Sequence, residues 1–378
     1  MSSLAIPSTM DEITPAWLTA ALQAGGHAKQ CSVTGMQKVT IGQGVGILGE
    51  LSRITPTYST TDPTAPATLI AKIPTADEGG KGVAQMLGFY EKEVRFYNEL
   101  CKSTGVRAAH SYYTAADPAS VKYIILMEDL GALKLGDQVA GASEAECKTL
   151  VTEVAKLHAR WWNSPKLASL DWIPEINAPT MKLSALAYAQ ALAPFLEKFS
   201  TSVTPQQSQI AQDLLPRMNP IQDALATAPQ TLCHGDLRLD NVFWGSPDGS
   251  SPVTLIDWQI SGKGRGPYDI AYFMSQSVEP SVRAAIEKDL VRQYHVTLQA
   301  NGVTGYSFEN CWDDYRLSVM FCLAYPVVAG GSIDLANERG LELATKMLNR
   351  SLSAIMDLKA YEVLAKFEPA PLPAIPGA

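Results

Sequence analysis

The spacing of hydrophobic positions changes near Gly131, about a third of the way along the 378-residue chain. Before that point, residues 32–74 form short β-prone runs, which are broken by glycines and by a Ser/Thr/Asp/Pro turn at 59–66. This pattern predicts a small antiparallel sheet, and the apolar run at 121–128 predicts a further strand. After Gly131, apolar residues recur mostly at spacings of three and four, which is typical of helices. The pattern therefore predicts an α+β fold.

The predicted helices share helix-forming residues and this three-four spacing, and they cover 11–23, 84–101, 143–162, much of 181–228, 267–300 and 308–359. The first has a clear start, because Thr14 can cap a helix that begins with Pro15. The exception in the helical region is 242–257, where two β-prone runs flank a Ser-Pro-Asp-Gly-Ser-Ser turn and predict a hairpin.

Composition and charge exclude several classes of protein. The net charge of −8 argues against a nucleic-acid partner or an anionic membrane surface, since neither polyanion is attracted to an acidic protein. The six cysteines contain no Cys-x-x-Cys pair, which favours reduced thiols in a cytosol. The first twenty residues lack a secretory run, and the apolar stretch 319–329 is too short to span a bilayer. We expect a cytoplasmic protein with no membrane partner.

The chemistry of the chain is concentrated in His-Gly-Asp-Leu-Arg-Leu-Asp-Asn at 234–241 and in the later Asp257. Transfer of a γ-phosphoryl group needs one carboxylate to orient or deprotonate the acceptor, and an Asn and a second Asp to hold Mg²⁺. Asp236 is the candidate catalytic carboxylate, and Arg238 is a candidate to neutralise charge on the transferred group. Because a hairpin brings its strand ends together, Asn241 and Asp257 are expected to share one cation.

His234 has two interpretations. A structural role, in which its ring holds the loop backbone, is favoured over a role as general base. A metallohydrolase site built from His234, Asp236 and Asp257 would need more histidines, and the four others in the chain lie in no similar motif.

Lys72 and Glu93 are both charged residues at apolar positions. Lys72 interrupts the apolar strand 69–73, and Glu93 shares a helix face with apolar neighbours, namely Met86, Tyr90, Tyr97 and Leu100. Each burial is costly unless the two side chains pair, and such a pair aims an ammonium group at the α- and β-phosphates of ATP. The alternative is that Lys72 lies at a solvated sheet edge and Glu93 on an exposed helix face.

The glycines at 44, 46 and 49 form a Gly-x-Gly-x-x-Gly pattern, which lets backbone amides approach a phosphate. A dinucleotide-binding site would need a helix after Gly44, Gly46 and Gly49, whereas the segment 50–58 is predicted as a strand. The order of strand, glycine loop and strand is typical of the loop that covers the ATP phosphates in kinases. A hairpin turn without function remains the alternative.

Together these motifs resemble the aminoglycoside phosphotransferase and choline kinase group of protein-kinase-like enzymes. The segments 89–97, 126–130 and 157–162 look most like its ecdysteroid-kinase-like branch. The resemblance implies a small N-terminal lobe with an antiparallel sheet at 1–130 and a larger, mainly helical C-terminal lobe at 131–378. It also implies ATP between the lobes. Adenine would lie on the backbone of Glu128, Asp129 and Leu130, and Asp269 would be a structural acid that bonds the catalytic loop.

The acceptor is predicted to be a small hydroxylated molecule. Asp257 is followed by Trp258-Gln259 and no activation segment follows, which argues against a protein substrate. Aromatic residues on the later helices, if they line the cleft, favour a partly apolar alcohol of steroid, terpenoid or aromatic type. One alternative is an aminoglycoside- or choline-type kinase. A polycationic aminoglycoside would need an acidic cleft, for which Asp313 and Asp314 are the candidates. A further alternative is a catalytically silent nucleotide-binding protein. The resemblance implies that helices in 163–230 shape the acceptor pocket, while oligomeric state and the choice between ATP and GTP stay open.

Overall fold

The computed structural model describes residues 4–42, 48–332 and 338–372. The chain divides into two compact units, of which the first comprises Met1–Lys134 and Gly245–Ile260 and the second Leu135–Trp244 and Ser261–Ala378. The segment that carries Asp257 therefore packs within the first unit, whereas the sequence groups it with the helical region.

The first unit contains a five-stranded antiparallel sheet. Its strands are β1 (Val33–Ile41), β2 (Gly49–Tyr58), β3 (Leu69–Pro74), β4 (Ser111–Asp117) and β5 (Lys122–Glu128). They lie side by side in the order β1-β2-β3-β5-β4. The expected sheet is confirmed, and β4 is an additional edge strand. In the central strand β3, Lys72 pairs with Leu51 on one side and Ile125 on the other.

A leading helix covers one face of this sheet. Helix α1 (Pro15–Ala24) begins as predicted, because the hydroxyl of Thr14 accepts the N–H of Trp17 at 3.2 Å. Its fully buried Leu18 and Leu22 belong to the same apolar cluster as the strand residue Ile54. Burying one such side chain stabilises the fold by about 1.5–3 kcal/mol, so this cluster anchors α1 to the sheet.

Two further helices follow β3, where the sequence predicts one helix over 84–101. They are α2 (Glu78–Met86) and α3 (Phe89–Glu99), and Gly88 between them adopts a left-handed φ of 66°. Glycine takes this conformation without steric cost, so the helical path ends there and starts again. As a result Met86 is 57% exposed and does not share the buried face of Glu93.

The segment 245–260 completes the first unit with strand β9 (Val253–Leu255). Its preceding turn is closed by a hydrogen bond from the N–H of Gly245 to the carbonyl of Pro252 at 2.7 Å. A short strand, β6 (Lys134–Leu135), lies where the chain passes from the first unit to the second.

The second unit is mainly helical, as expected. Its helices are α4 (Glu144–Trp161), α5 (Pro165–Ala168), α6 (Pro179–Lys182), α7 (Ser184–Lys198), α8 (Pro205–Leu214), α9 (Met218–Leu225), α10 (Pro267–Ser277), α11 (Pro280–Ala300), α12 (Phe308–Cys322), α13 (Ala324–Ser332) and α14 (Glu338–Asp357). Its short strands are β7 (Thr231–Cys233), β8 (Val242–Trp244) and β10 (Gly262–Gly264). Strands β7 and β10 pair antiparallel, with Cys233 opposite Gly262.

Helix α10 lies at the centre of the second unit, because all eleven of its residues are buried. The predicted helix 267–300 is divided here: α10 ends before Val278, and Pro280 begins α11 at a position that needs no N–H donor. Among the described residues, no helix has both the length and the apolar character to cross a membrane.

Candidate active site

Lys72 and Glu93 form the predicted ion pair in the first unit. The ammonium Nζ of Lys72 lies 2.7 Å from Oε2 of Glu93 and 3.3 Å from Oδ1 of Asp257. Burial alone lowers the pKa of Lys72, but the carboxylates of Asp257 and Glu93 outweigh burial and raise it. Lys72 therefore stays charged, and the alternative of a solvated edge lysine is wrong.

Glu93 is the most deeply buried member of this group, with 2% of its side chain exposed. Burial raises the pKa of Glu93 to about 7, against the opposing effect of Lys72. The nearby Asp257 carboxylate adds to the rise because two like charges disfavour ionisation. Lys72 thus limits a rise in the pKa of Glu93 that burial alone would make larger.

Asp257 occupies an unusual backbone conformation, with a φ of 63° in the left-handed region. Aspartate is among the few non-glycine residues found there, and such conformations persist only where the surroundings impose them. The next residue, Trp258, is fully buried and stacks on Phe96 of α3, with ring centroids 4.1 Å apart. This contact fixes the segment of Asp257 against the helix that carries Glu93.

The strand end at Glu128 is fixed by its own side chain. The carboxylate of Glu128 pairs with Arg107 at 2.7 Å and accepts the backbone N–H of His110 at 2.6 Å. Both oxygens therefore serve the local structure. Leu130, two residues on, is 4% exposed and its carbonyl accepts the N–H of Leu133 at 2.9 Å.

Asp129 lies between these two residues and pairs with Arg53 of β2 at 2.6 Å. The N–H of Gly131 donates to the same carboxylate at 2.9 Å. A Cβ atom at Gly131 would lie 2.2 Å from Nη2 of Arg53, so a side chain there would push the guanidinium group away from its present position. The side chains of Glu128 and Asp129 thus shape the connection between the strand end and Gly131.

The predicted glycine loop is only partly described. Gly44 and Gly46 lie outside the described residues. Gly49 is the first residue of β2, where it pairs with Pro74 of β3. A Cβ atom at Gly49 would press on Lys72 at 3.3 Å, so the absence of a side chain leaves room beside the lysine.

Asp236 lies in the loop after β7 in the second unit, and three side chains hold its carboxylate. The hydroxyl of Tyr272 donates to Oδ1 at 2.7 Å. On the other oxygen, Oδ2, the amide Nδ2 of Asn241 donates at 3.0 Å and Nε of Arg238 pairs at 3.3 Å. Burial and the Asp236 carboxylate raise the pKa of Tyr272 well above its usual value, so its hydroxyl keeps the proton that it donates.

Asp269 of α10 holds the backbone of the same loop. Its two carboxylate oxygens accept the N–H groups of His234 at 2.7 Å and Gly235 at 3.0 Å. His158 of α4 lies 3.1 Å from the same carboxylate through Nε2 and 2.8 Å from the hydroxyl of Tyr294 through Nδ1. His234 also serves the loop, because its Nδ1 accepts the N–H of Asp236 at 3.3 Å.

Gln138, which is 1% exposed, fixes the end of the loop. Its side-chain oxygen Oε1 accepts hydrogen bonds from the N–H of Leu239 at 2.9 Å and from the hydroxyl of Ser277 at 2.8 Å. Its amide donates to the carbonyl of Gln276 at 3.0 Å. The C-terminal end of α10 is thereby linked to the short helical turn that ends at Asn241.

One buried cluster, His158, Cys233 and Asp269, has its potential metal ligands within 4.8 Å of one another. Both ring nitrogens of His158 have protein partners, and both oxygens of Asp269 accept backbone N–H groups. Burial, and then the charge of Asp269, raise the pKa of the Cys233 thiol, which disfavours the thiolate a metal needs. The cluster is a structural network that supports the loop.

A comparison with protein families identifies the chain. The sequence model described as "Ecdysteroid kinase-like family" matches residues 43–302, which is more than half of the chain. The chain belongs to the ecdysteroid kinase-like family. The predicted resemblance to this branch is thus confirmed.

Among curated proteins, this family member is similar to an uncharacterized kinase-like protein of Caenorhabditis elegans, with 26% identity over 143 residues. The match covers 34% of the chain and 38% of the length of that relative.

Two solved structures are also similar to this ecdysteroid kinase-like chain. One is the GDP and kanamycin complex of APH(2″)-IIIa, with a TM-score of 0.52, 13% identity and coverage of 88% of this chain and 97% of that chain. The other is the GDP complex of wild-type aminoglycoside 2′-phosphotransferase-IIIa, with a TM-score of 0.50, 14% identity and coverage of 85% and 93%. At these identities the likeness shows the fold, and it confirms the expected protein-kinase-like fold.

Sequence reasoning missed Tyr272, Gln138 and Tyr294. Tyr272 follows Asp269 by three positions on a predicted helix, so the two share a helix face, and this spacing was a usable signal. Gln138 carried no signal, because it lies about a hundred residues before the loop that it bonds.

Proposed function

We propose that this ecdysteroid kinase-like chain is a small-molecule kinase, which transfers the γ-phosphoryl group of ATP to a hydroxyl group in the presence of Mg²⁺. The observation that carries the proposal is the buried ammonium of Lys72, held between Glu93 and Asp257. A lysine so fixed presents a permanent positive charge beside β3, and phosphoryl transfer depends on such positioned charges.

In this proposal, Lys72 binds the α- and β-phosphates. The side chain of Lys72 is 14% exposed, so it can reach a ligand while Glu93 fixes its direction. Gly49, together with Gly44 and Gly46, would let backbone amides approach the phosphates, and the space beside Lys72 at Gly49 supports this role. Adenine would form hydrogen bonds with the backbone of Glu128, Asp129 and Leu130. The side chain of Glu128 pairs with Arg107 and that of Asp129 with Arg53.

Asp236 aligns the acceptor. Its carboxylate is 9% exposed and held at both oxygens, so it can accept the proton of an incoming hydroxyl in a fixed direction. Arg238, whose side chain is 23% exposed, would neutralise negative charge on the transferred group.

Asn241 of the second unit and Asp257 of the first unit are the proposed magnesium ligands. The amide nitrogen of Asn241 bonds both the backbone carbonyl and the carboxylate of Asp236, at 2.9 and 3.0 Å, which leaves its carbonyl oxygen for a cation. The side chain of Asp257 is 22% exposed and offers a carboxylate. Both are hard oxygen ligands of the kind Mg²⁺ prefers. The ion, when bound, would neutralise phosphate charge.

The acceptor is proposed to be a partly apolar alcohol of steroid, terpenoid or aromatic type. The ring of Tyr272, whose hydroxyl bonds Asp236, meets the ring of Tyr325 edge-on at 4.3 Å. The hydroxyl of Tyr325 lies 3.5 Å from the carbonyl of Gly235, and this ring is only partly buried. Aromatic surface therefore borders the carboxylate that would receive the acceptor.

Of the two acidic residues that are candidates to bind a polycationic acceptor, Asp314 is engaged elsewhere. Asp314 is 4% exposed, forms an ion pair with Arg265 and accepts the hydroxyl of Tyr306 at 2.7 Å. Its negative charge is thus largely compensated. Asp313 alone is exposed, which does not make a strongly acidic cleft. This arrangement favours an apolar alcohol over an aminoglycoside as the proposed acceptor.

The test is phosphorylation of a metabolite extract by the purified protein with Mg·ATP, followed by mass spectrometry for a gain of one phosphoryl group. A parallel reaction with GTP examines the nucleotide, and kanamycin and choline serve as comparison acceptors. We expect a phosphorylated apolar alcohol. Products only from kanamycin or choline would overturn the acceptor class, and nucleotide binding without any product would favour a silent nucleotide-binding protein.

Two variants separate the roles of the carboxylates. Asp236→Ala should abolish transfer and leave Mg·ATP binding intact, because Asp236 is assigned to the acceptor. Asp257→Ala should weaken Mg·ATP binding itself, because Asp257 is assigned to the metal and also contacts Lys72. Calorimetric titration with Mg·ATP measures this difference. Transfer retained by Asp236→Ala would contradict its assignment.

The proposed site of action is the cytoplasm. All six cysteines lie among the described residues and all are free, which suits a reducing compartment. Microscopy of the tagged chain tests this statement, and secretion of the protein would contradict it.

A further inference from the structure

Helix α10 carries two polar side chains that both bond the loop of Asp236. Asp269 and Tyr272 are three positions apart, so they lie on the same face of the helix. Asp269 is 0% and Tyr272 3% exposed. A buried polar group needs a partner, and both side chains find theirs in residues 234–236.

The two side chains hold different parts of the loop. Within the loop, Asp269 bonds only backbone, through the N–H groups of His234 and Gly235. Tyr272 bonds only the side chain of Asp236, at Oδ1. The backbone bonds fix where the loop runs, but they leave the rotation of the Asp236 carboxylate about its Cβ–Cγ bond undetermined.

The other contacts of the carboxylate do not replace Tyr272. Asn241 and Arg238 both reach Oδ2, and the 3.3 Å ion pair with Arg238 is the longer of the two contacts. The bond from Tyr272 to Oδ1 is 2.7 Å long, within the range of a charge-assisted hydrogen bond. Holding both oxygens defines the plane of the carboxylate, which holding one oxygen does not.

We propose that Tyr272 is a positioning residue for phosphoryl transfer, whose hydroxyl fixes the plane of the Asp236 carboxylate so that the acceptor hydroxyl is aligned for attack. The inference rests on the proposed kinase function, with Asp236 as the group that receives the acceptor. In this proposal Tyr272 acts on the acceptor through Asp236, whereas the groups assigned to ATP, such as Lys72, belong to the first unit. Its loss should therefore affect turnover and leave the binding of Mg·ATP unchanged.

The chain offers a closely matched control. Tyr315 of α12 is 0% exposed, and its hydroxyl donates to a carboxylate oxygen of Glu287 at 2.7 Å. Tyr272→Phe and Tyr315→Phe thus each remove one buried tyrosine–carboxylate hydrogen bond of equal length from the same unit. A purely structural role predicts the same kinetic consequence for both variants.

The experiment measures kcat, KM for ATP and KM for the acceptor found in the screen above, together with the thermal midpoint of each variant. We expect Tyr272→Phe to lower kcat roughly tenfold to a hundredfold, the range produced by small misplacements of reacting groups. The KM for ATP should change less than about twofold, a shift worth under 0.5 kcal/mol. Tyr315→Phe should lose thermal stability and keep its kcat.

A kcat for Tyr272→Phe within about twofold of the wild type or of Tyr315→Phe would overturn the inference, since misalignment predicts a far larger loss. If Tyr272→Phe does not fold, 4-fluorophenylalanine at position 272 fills the space of the hydroxyl without donating a hydrogen bond, and the same kinetic comparison applies. Failure of the kinase proposal looks different, because the wild-type protein would then give no phosphorylated product at all.

Discussion

Lys72→Met offers the sharpest test of the charge cluster in the first unit. Methionine keeps an unbranched side chain of similar length but removes the ammonium group between Glu93 and Asp257. Removing one partner of a buried ion pair costs about 3–5 kcal/mol, because the remaining charge stays buried without compensation. Glu93, which is 2% exposed, is the residue that would bear this cost.

The cost should depend on pH, because Glu93 can avoid it by binding a proton. Its pKa rises from 4.5 in the unfolded chain to about 7 in the folded protein. Between these two pH values Glu93 binds more protons in the folded state than in the unfolded state. Its contribution to the free energy of unfolding of the wild type therefore falls as pH rises and becomes constant above about pH 7. Without Lys72, Glu93 stays protonated to higher pH, and the free energy of unfolding continues to fall by about 1.4 kcal/mol per pH unit.

The expected result is therefore a gap between Lys72→Met and the wild type that widens by about 2 kcal/mol from pH 7 to pH 8.5. Urea unfolding at pH 6, 7 and 8.5 measures it. The double variant with Glu93→Gln should show no such widening, since it lacks the titrating carboxyl. A gap that is independent of pH, or a double variant that behaves as the single one, would refute this reasoning.

Two further predictions concern the first unit. Lys92→Met should raise stability at pH 7 by up to about 3 kcal/mol, because burial lowers the pKa of Lys92 from 10.5 to about 8, and the advantage should fade as pH rises through that window. Urea unfolding measures it against the exposed control Lys29→Met, and equal behaviour of the two would contradict it. Gly131→Ala should displace Arg53 and weaken nucleotide binding by about 1 kcal/mol, or roughly fivefold, in calorimetric titration. The control Gly82→Ala, where nothing lies within 4 Å, should bind normally, and an unchanged affinity for Gly131→Ala would count against the proposed adenine site at Glu128, Asp129 and Leu130.

The sequence could predict the Lys72–Glu93 pair because each residue is anomalous in its own local pattern. A charge within an apolar strand and a charge on an apolar helix face are both visible without any knowledge of the fold. Strand register and helix packing then bring the two residues together, as they do here at 2.7 Å.

The bond between Tyr272 and Asp236 could not be found in this way. The spacing of Asp269 and Tyr272 indicates a shared helix face, but the partner of the tyrosine lies 36 positions earlier in the chain. Only the packing of α10 against the loop gives the hydroxyl its role. The break at Gly88 was hidden for a different reason, because a single glycine within a helical pattern is compatible with both continuation and termination.

The central claim is that Asp236 orients an alcohol for phosphoryl transfer from Mg·ATP. The most direct measurement compares the wild type with Asp236→Asn, which keeps the size of the side chain, in one mass-spectrometric assay of phosphorylated acceptor and one titration of Mg·ATP binding. We expect a phosphorylated apolar alcohol from the wild type, none from the variant, and equal nucleotide affinity for both. Equal product from both proteins, or nucleotide binding by the wild type with no phosphorylated product, would contradict it.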